Sequence, residues 1–109
     1  HVPEMQRYAG LAHPPLFAPA VIAAHRGMVV EVPLQLAAMP VAAAPEVLRI
    51  ALGEFYAGSR IVTVHDEPVD ELLLRGSMQP SDRLDLYVMG SPNGDQVRLM
   101  AMPSSSPAP

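Results

Sequence analysis

Leu84-Asp85-Leu86-Tyr87-Val88-Met89-Gly90-Ser91-Pro92-Asn93-Gly94-Asp95-Gln96-Val97-Arg98-Leu99-Met100-Ala101 is the stretch on which the fold turns. Leu84, Leu86 and Val88 alternate with Asp85, Tyr87 and Met89, and Val97, Leu99 and Ala101 alternate with Gln96, Arg98 and Met100. That two-residue period belongs to strands whose faces differ. Between the two runs, Gly90 to Asp95 holds Asn93-Gly94, a pair suited to the positive φ angles of a tight reversal, so an antiparallel hairpin is the economical reading.

Upstream, Met28, Val30, Val32, Leu34 and Leu36 alternate with Val29, Glu31, Pro33 and Gln35, which predicts a strand with one buried face. Pro33 has no N–H for a ladder and places this strand at an edge or a bulge. Pro45 and Glu46 then open a helix in which Leu48, Leu52, Phe55 and Tyr56 share one face, with Gly58 as its stop. Arg60 to His65 is short and β-branched, a strand by composition. Asp66 to Gly76 reads as a turn with room for one helical turn at Leu72 to Leu74.

The first residues, His1 to Tyr8, suit a helix with Pro3 and Glu4 in its first turn and Gly10 beyond its end. Leu16 to Ile22, an apolar run after Pro14-Pro15, fits a buried strand, though not that alone. Together these elements predict one α+β domain over residues 1–102, with a mixed, largely antiparallel sheet and one main helix on one face. Residues 103–109 are Ser and Pro apart from Ala108 and read as a disordered tail.

Composition narrows the function classes. The chain has 109 residues, half of them hydrophobic, enough for one modest core. Seven basic residues, all Arg, against eleven acidic ones give a net charge of −4 with no basic cluster, so no nucleic-acid partner is expected. There is no lysine for a Schiff base and no cysteine for a thiol nucleophile, a thiolate metal site or a disulfide. The longest uncharged stretch, Tyr8 to His25, is broken by three prolines, so neither a membrane span nor a signal peptide is expected and a cytoplasmic location is.

Several phrases, in order and spacing, resemble the short bacterial type of N-acetyl-gamma-glutamyl-phosphate reductase of arginine biosynthesis. They are His-Val-Pro-Glu-Met at 1–5, Leu-Phe-Ala-Pro-Ala-Val at 16–21, Arg-Gly-Met-Val-Val-Glu-Val-Pro-Leu-Gln-Leu at 26–36, Phe-Tyr-Ala-Gly-Ser at 55–59, Ile-Val-Thr-Val at 61–64 and the hairpin from Leu86 to Ala101. The resemblance implies an α+β fold like the dimerisation domain of semialdehyde-dehydrogenase-type reductases, paired through its sheet. In such enzymes a cysteine attacks an acyl phosphate, a histidine handles protons and NADPH delivers hydride to the thioester. The chain resembles the substrate-side domain alone: it has no Gly-x-Gly-x-x-Gly segment and no cysteine, and His1 matches the second histidine of the family's His-x-His-x-Pro-Glu phrase. After Ala101 the family's Asp-Asn-Leu segment is replaced by Met102 and the Ser/Pro run. An incomplete reductase segment is therefore expected, with no catalytic residue of its own and with NADP held by a nucleotide-binding partner half, not by this chain.

By the same resemblance His1, Glu4 and Arg26 stand on the substrate side, where a guanidinium pairs with a carboxylate or phosphate and an imidazole or carboxylate orients an N-acetyl-glutamyl chain. The alternative for each is a solvated terminal or turn residue. His13, His25 and His65 lack ligand spacing, so no metal is expected. Ser59 and Ser91 read as turn residues unless a histidine folds against one. Two other functions stay open: a self-associating interaction module that exposes an apolar face, and a small hydrolase using His25 or His65 with a nearby serine or carboxylate.

Overall fold

A computed structural model describes residues 1–21, 27–40, 42–69, 71–72 and 81–104. Four strands form one sheet in the order β1-β4-β3-β2: β1 Val30–Gln35, β2 Val62–Val64, β3 Leu84–Gly90 and β4 Gln96–Pro103. β1 with β4 and β4 with β3 are antiparallel, and the three-residue β2 runs parallel to β3. The sheet is thus mixed and largely antiparallel, with helix α2, Pro45–Phe55, packed against β3 and β2. This is the expected α+β architecture.

The hairpin forms as its turn residues dictate. Gly94 takes φ +76°, Ser91 N–H donates to the Gln96 carbonyl at 2.8 Å and Gly94 N–H to the Ser91 carbonyl at 2.9 Å. Val88 and Val97, one on each arm, are 2% and 1% exposed and join Leu36 in the core. Leu34, Leu48, Leu52 and Leu99 pack around them. At the hairpin end the backbone comes close to α2: a Cβ on Gly90 would lie 2.7 Å from Pro45 Cγ. Only a residue without a side chain lets the helix start there.

Helix α2 also carries the least expected side chain of the core. Arg49 is 4% exposed, pairs with Glu46 one turn earlier and donates from Nη2 to the Val88 carbonyl at 2.7 Å. The ladder explains this. On its β2 side, β3 is served by Leu84 N–H to the Ile61 carbonyl and by His65 N–H to the Leu86 carbonyl, and β2 has by then ended. The next carbonyl on that edge, that of Val88, has no strand partner, and a buried carbonyl left unpaired is unfavourable. The guanidinium supplies the donor.

Several expectations are corrected. Residues 16–21 form no strand and are not buried: Leu16 is 91% and Val21 98% exposed. Pro14, Pro15 and Pro19 leave too few N–H groups for a ladder; Ile22 lies outside the described residues. The strand expected from Met28 begins at Val30 and gives way at Leu36 to a 3₁₀ turn, Leu36–Ala38, where Leu36 N–H donates to the Asp95 carbonyl. Its apolar face is buried only at one end, for Val30 and Val32 remain 47% and 44% exposed. Pro33 does lie on an edge strand.

On α2, Leu48 and Leu52 face the core, whereas Phe55, in the last turn, is 78% exposed and meets Tyr56 edge-on. Residues 103 and 104 do not belong to a disordered tail: Pro103 pairs with Leu84 at the end of β4, and Ser104 is 2% exposed with its N–H on the Arg83 carbonyl. Proline is tolerated at that strand end, and the ladder simply runs on. The helical turn expected at Leu72 to Leu74 and the end of the tail fall largely outside the described residues.

Helix α1, Val2–Ala9, forms as expected. Gly10 closes it at φ +66° while Leu11 N–H reaches back to the Gln6 carbonyl at 3.0 Å. No residue of α1 is buried.

Candidate functional site

His1 stands at the N-cap of α1 and makes no side-chain cap hydrogen bond; Glu4 lies in the first turn, and both are exposed. Their spacing of three residues places them on one helix face. Arg26 and His25 lie outside the described residues. His1 and Glu4 thus both sit at the start of α1, and no described hydrogen bond or ion pair joins them.

A second group of polar side chains gathers on the sheet face opposite α2. β2 runs parallel to β3, so His65, just past the end of β2, falls beside Tyr87. The two rings stack with centroids 4.3 Å apart and planes 8° from parallel. Asp85 precedes Tyr87 on the same face of β3 and is 8% exposed, with Oδ1 3.5 Å from His65 Nε2. That separation makes an ion pair when the imidazole is protonated, yet it is not a hydrogen bond, and Nε2 is buried without a hydrogen-bond partner. Burial, and secondarily the Asp85 carboxylate, hold the Tyr87 phenol above its ordinary pKa. Sequence reading named His65 but not its neighbours. The alternation of β3 already put Asp85 and Tyr87 on one face; only the parallel docking of β2 brought the histidine to them.

Chemically the cluster is an imidazole–carboxylate pair against an aromatic wall. Ser59 Oγ accepts from the N–H groups of Ile61 at 3.2 Å and Val62 at 3.0 Å, holding the turn into β2. Ser91 Oγ donates to Asn93 Oδ1 at 2.8 Å and accepts from Gln96 N–H at 3.1 Å, holding the hairpin turn. Both hydroxyls are turn locks, and neither meets a histidine. Among the described residues no three His, Cys, Asp or Glu side chains gather as a metal site, and no helix is long and apolar enough to cross a membrane. Two open hollows of about 390 and 410 Å³ flank the hairpin turn; the first touches Arg98 and Ser91, the second Met39 and Asp95, and neither reaches a histidine.

The chain is 37% identical over 105 residues to N-acetyl-gamma-glutamyl-phosphate reductase of Rhizobium etli, a match that takes in 94% of this chain and 34% of that one. The same enzyme of Sinorhizobium fredii is 38% identical over 105 residues, with 94% and 33% covered. That of Burkholderia ambifaria is 48% identical over 64 residues, 59% of this chain and 20% of the relative. No protein-family model matches the chain, and no solved structure does. The chain spans about a third of the length of the curated relatives it matches. Nearly all of the chain is thus similar to a segment about one third as long as these N-acetyl-gamma-glutamyl-phosphate reductases.

Proposed function

We propose that this chain is the substrate-side and subunit-pairing part of an NADPH-dependent N-acetyl-gamma-glutamyl-phosphate reductase of arginine biosynthesis, working in the cytoplasm together with a nucleotide-binding, cysteine-bearing part and turning over no substrate by itself. The observation that carries this reading is the match of 94% of the chain to reductases about three times the matched length. The absence of any cysteine among the 109 residues agrees with it, because reduction of an acyl phosphate through a thioester needs a thiol.

In this reading α1 is a donor of contacts to a partner surface. His1 and Glu4, on its exposed first turn, would orient the N-acetyl-glutamyl chain, and Arg26 would grip a carboxylate or the departing phosphate. NADP belongs to the partner part. Pairing of two copies would use β1, a sheet edge. Leu36 N–H bonds inward to the Asp95 carbonyl, so by alternation the main-chain groups of Glu31, Pro33 and Gln35 point outward.

The test is light scattering on the chain alone and after addition of a separately expressed nucleotide-binding part of the Rhizobium etli relative, followed by NADPH-dependent turnover. A dimer that regains turnover in the mixture supports the reading. A folded chain that stays inactive and unbound sinks it.

The His65–Asp85 pair favours a second reading, a small hydrolase, to the extent that histidine and carboxylate are in place. The two serines weighed as its partner, Ser59 and Ser91, hold turns instead. Ester cleavage abolished by His65→Ala, in a chain that does not bind the nucleotide part, would put this reading ahead.

A further inference from the structure

The sheet face that carries the core is only half covered. Strands lie about 4.8 Å apart and a helix with its side chains is about 10 Å across, so one helix shields about two strands. α2 lies on β3 and β2. The other half of the same face belongs to β1 and β4. Val30 pairs with Ala101, Val32 with Leu99 and Leu34 with Val97, all on the α2 side, since Leu34, Leu99 and Val97 belong to the core around Leu48 and Leu52.

Toward the Val30 end this row stays open: Val30 is 47% and Val32 44% exposed, Leu99 and Ala101 are half-buried, and among the described elements no helix besides α2 lies on the sheet. Two outward residues of α2 are apolar as well, Val47 at 52% and Ile50 at 59%, beside the exposed Glu46 and Glu54. A β-branched strand face continuous with a core, beside a helix apolar on more than its inner side, is the surface of an interior layer.

We infer that a second helix packs beside α2 over β1 and β4, laying an apolar stripe on Val30 and Val32, and that this helix comes from the two thirds of the reductase that the matched relatives have in addition to this segment. The inference rests on the reductase reading above. The occupant follows from the geometry and from the length left over. A helix beside α2 at the usual 8–10 Å between axes falls on the bare strands, and the relatives carry about twice as much chain again outside the matched part. A second copy pairing through the β1 edge would lie in the plane of the sheet and leave this face bare.

The test substitutes Val30→Thr and Val32→Thr together, which keeps β-branching and size and adds two hydroxyls. The melting temperature is measured in this chain and in a chimera of the Rhizobium etli reductase carrying this chain in place of its own matched segment. The expected result is a shift of less than about 2 °C in the chain, where both sites already meet water, and a loss of roughly 5 °C or more in the chimera, where both hydroxyls are buried unpaired. Equal shifts in the two proteins overturn the inference while leaving the reductase reading intact. A chimera that does not fold overturns that reading and the inference with it. An isolated chain that dimerises by light scattering and is made monomeric by the two threonines makes a second copy the occupant, which also overturns the inference.

Discussion

The hairpin with α2 and the N-terminal arm are made of similarly apolar sequence and end in opposite states. In the hairpin, Val88 and Val97 are all but inaccessible, and Arg49 is drawn in to serve a carbonyl that the short β2 leaves open. In the arm, α1 buries no residue, Tyr8 is 82% exposed and Leu16 and Val21 are bare. Hydrophobicity alone therefore does not build a core. It does so where the backbone can satisfy itself in a ladder, as 84–103 can, and fails where proline removes the donors, as at 14, 15 and 19.

The contrast can be broken from its strong side first. Leu36→Ala removes a 6%-exposed side chain between β1 and the hairpin. Unfolding in urea should show a loss of about 2–5 kcal/mol, the range for large-to-small core changes. A loss below 1 kcal/mol would mean that the core does not close there. Next, Arg49→Met keeps the apolar stem but leaves the Val88 carbonyl without its donor. The expected loss is about 1.5–3 kcal/mol, and hydrogen exchange at Val88 and its neighbours should speed up more than in β1. Neutrality would show that water replaces the guanidinium.

A smaller effect lies at alkaline pH. The phenol of Tyr87 is held above its ordinary pKa of 10.0 by burial and by Asp85. Its neutral form is the one the fold prefers, so the stability tied to it is whole below the unfolded-state value and is lost as pH rises through the higher folded value. Stability measured from pH 9 upward should fall less steeply in Tyr87→Phe than in the parent, and the phenolate absorbance titration should lose its most alkaline component. Identical pH slopes would contradict the burial of that hydroxyl. The smallest effect belongs to the arm: Leu16→Ser with Val21→Ser should change stability by no more than about 0.5 kcal/mol, as for exposed sites. A larger loss would show that the arm is packed in solution.

Much of the fold was legible. The hairpin, α1 with its Gly10 stop, the helix starting at Pro45 and the edge placement of β1 all followed from periodicity, caps and one proline. The misreadings share a cause. Leu16 to Val21, the Val30 end of β1 and Phe55 read as interior because they are apolar, yet in the fold each stands largely exposed. The polar interior was missed for the converse reason: nothing in the order of residues shows that β2 stops early enough to leave the Val88 carbonyl in need of Arg49.

What the sequence determined by itself is local: where strands alternate, where glycine and proline end or forbid an element, and, through its phrases, which reductases it resembles. The tertiary structure decided which apolar face is covered, which carbonyl goes short and which distant side chains meet, as His65 meets Tyr87 and Asp85. Those outcomes depend on strand order and strand length, which arise from pairings between residues far apart in the chain, whereas alternation and capping are set within a few residues of one another.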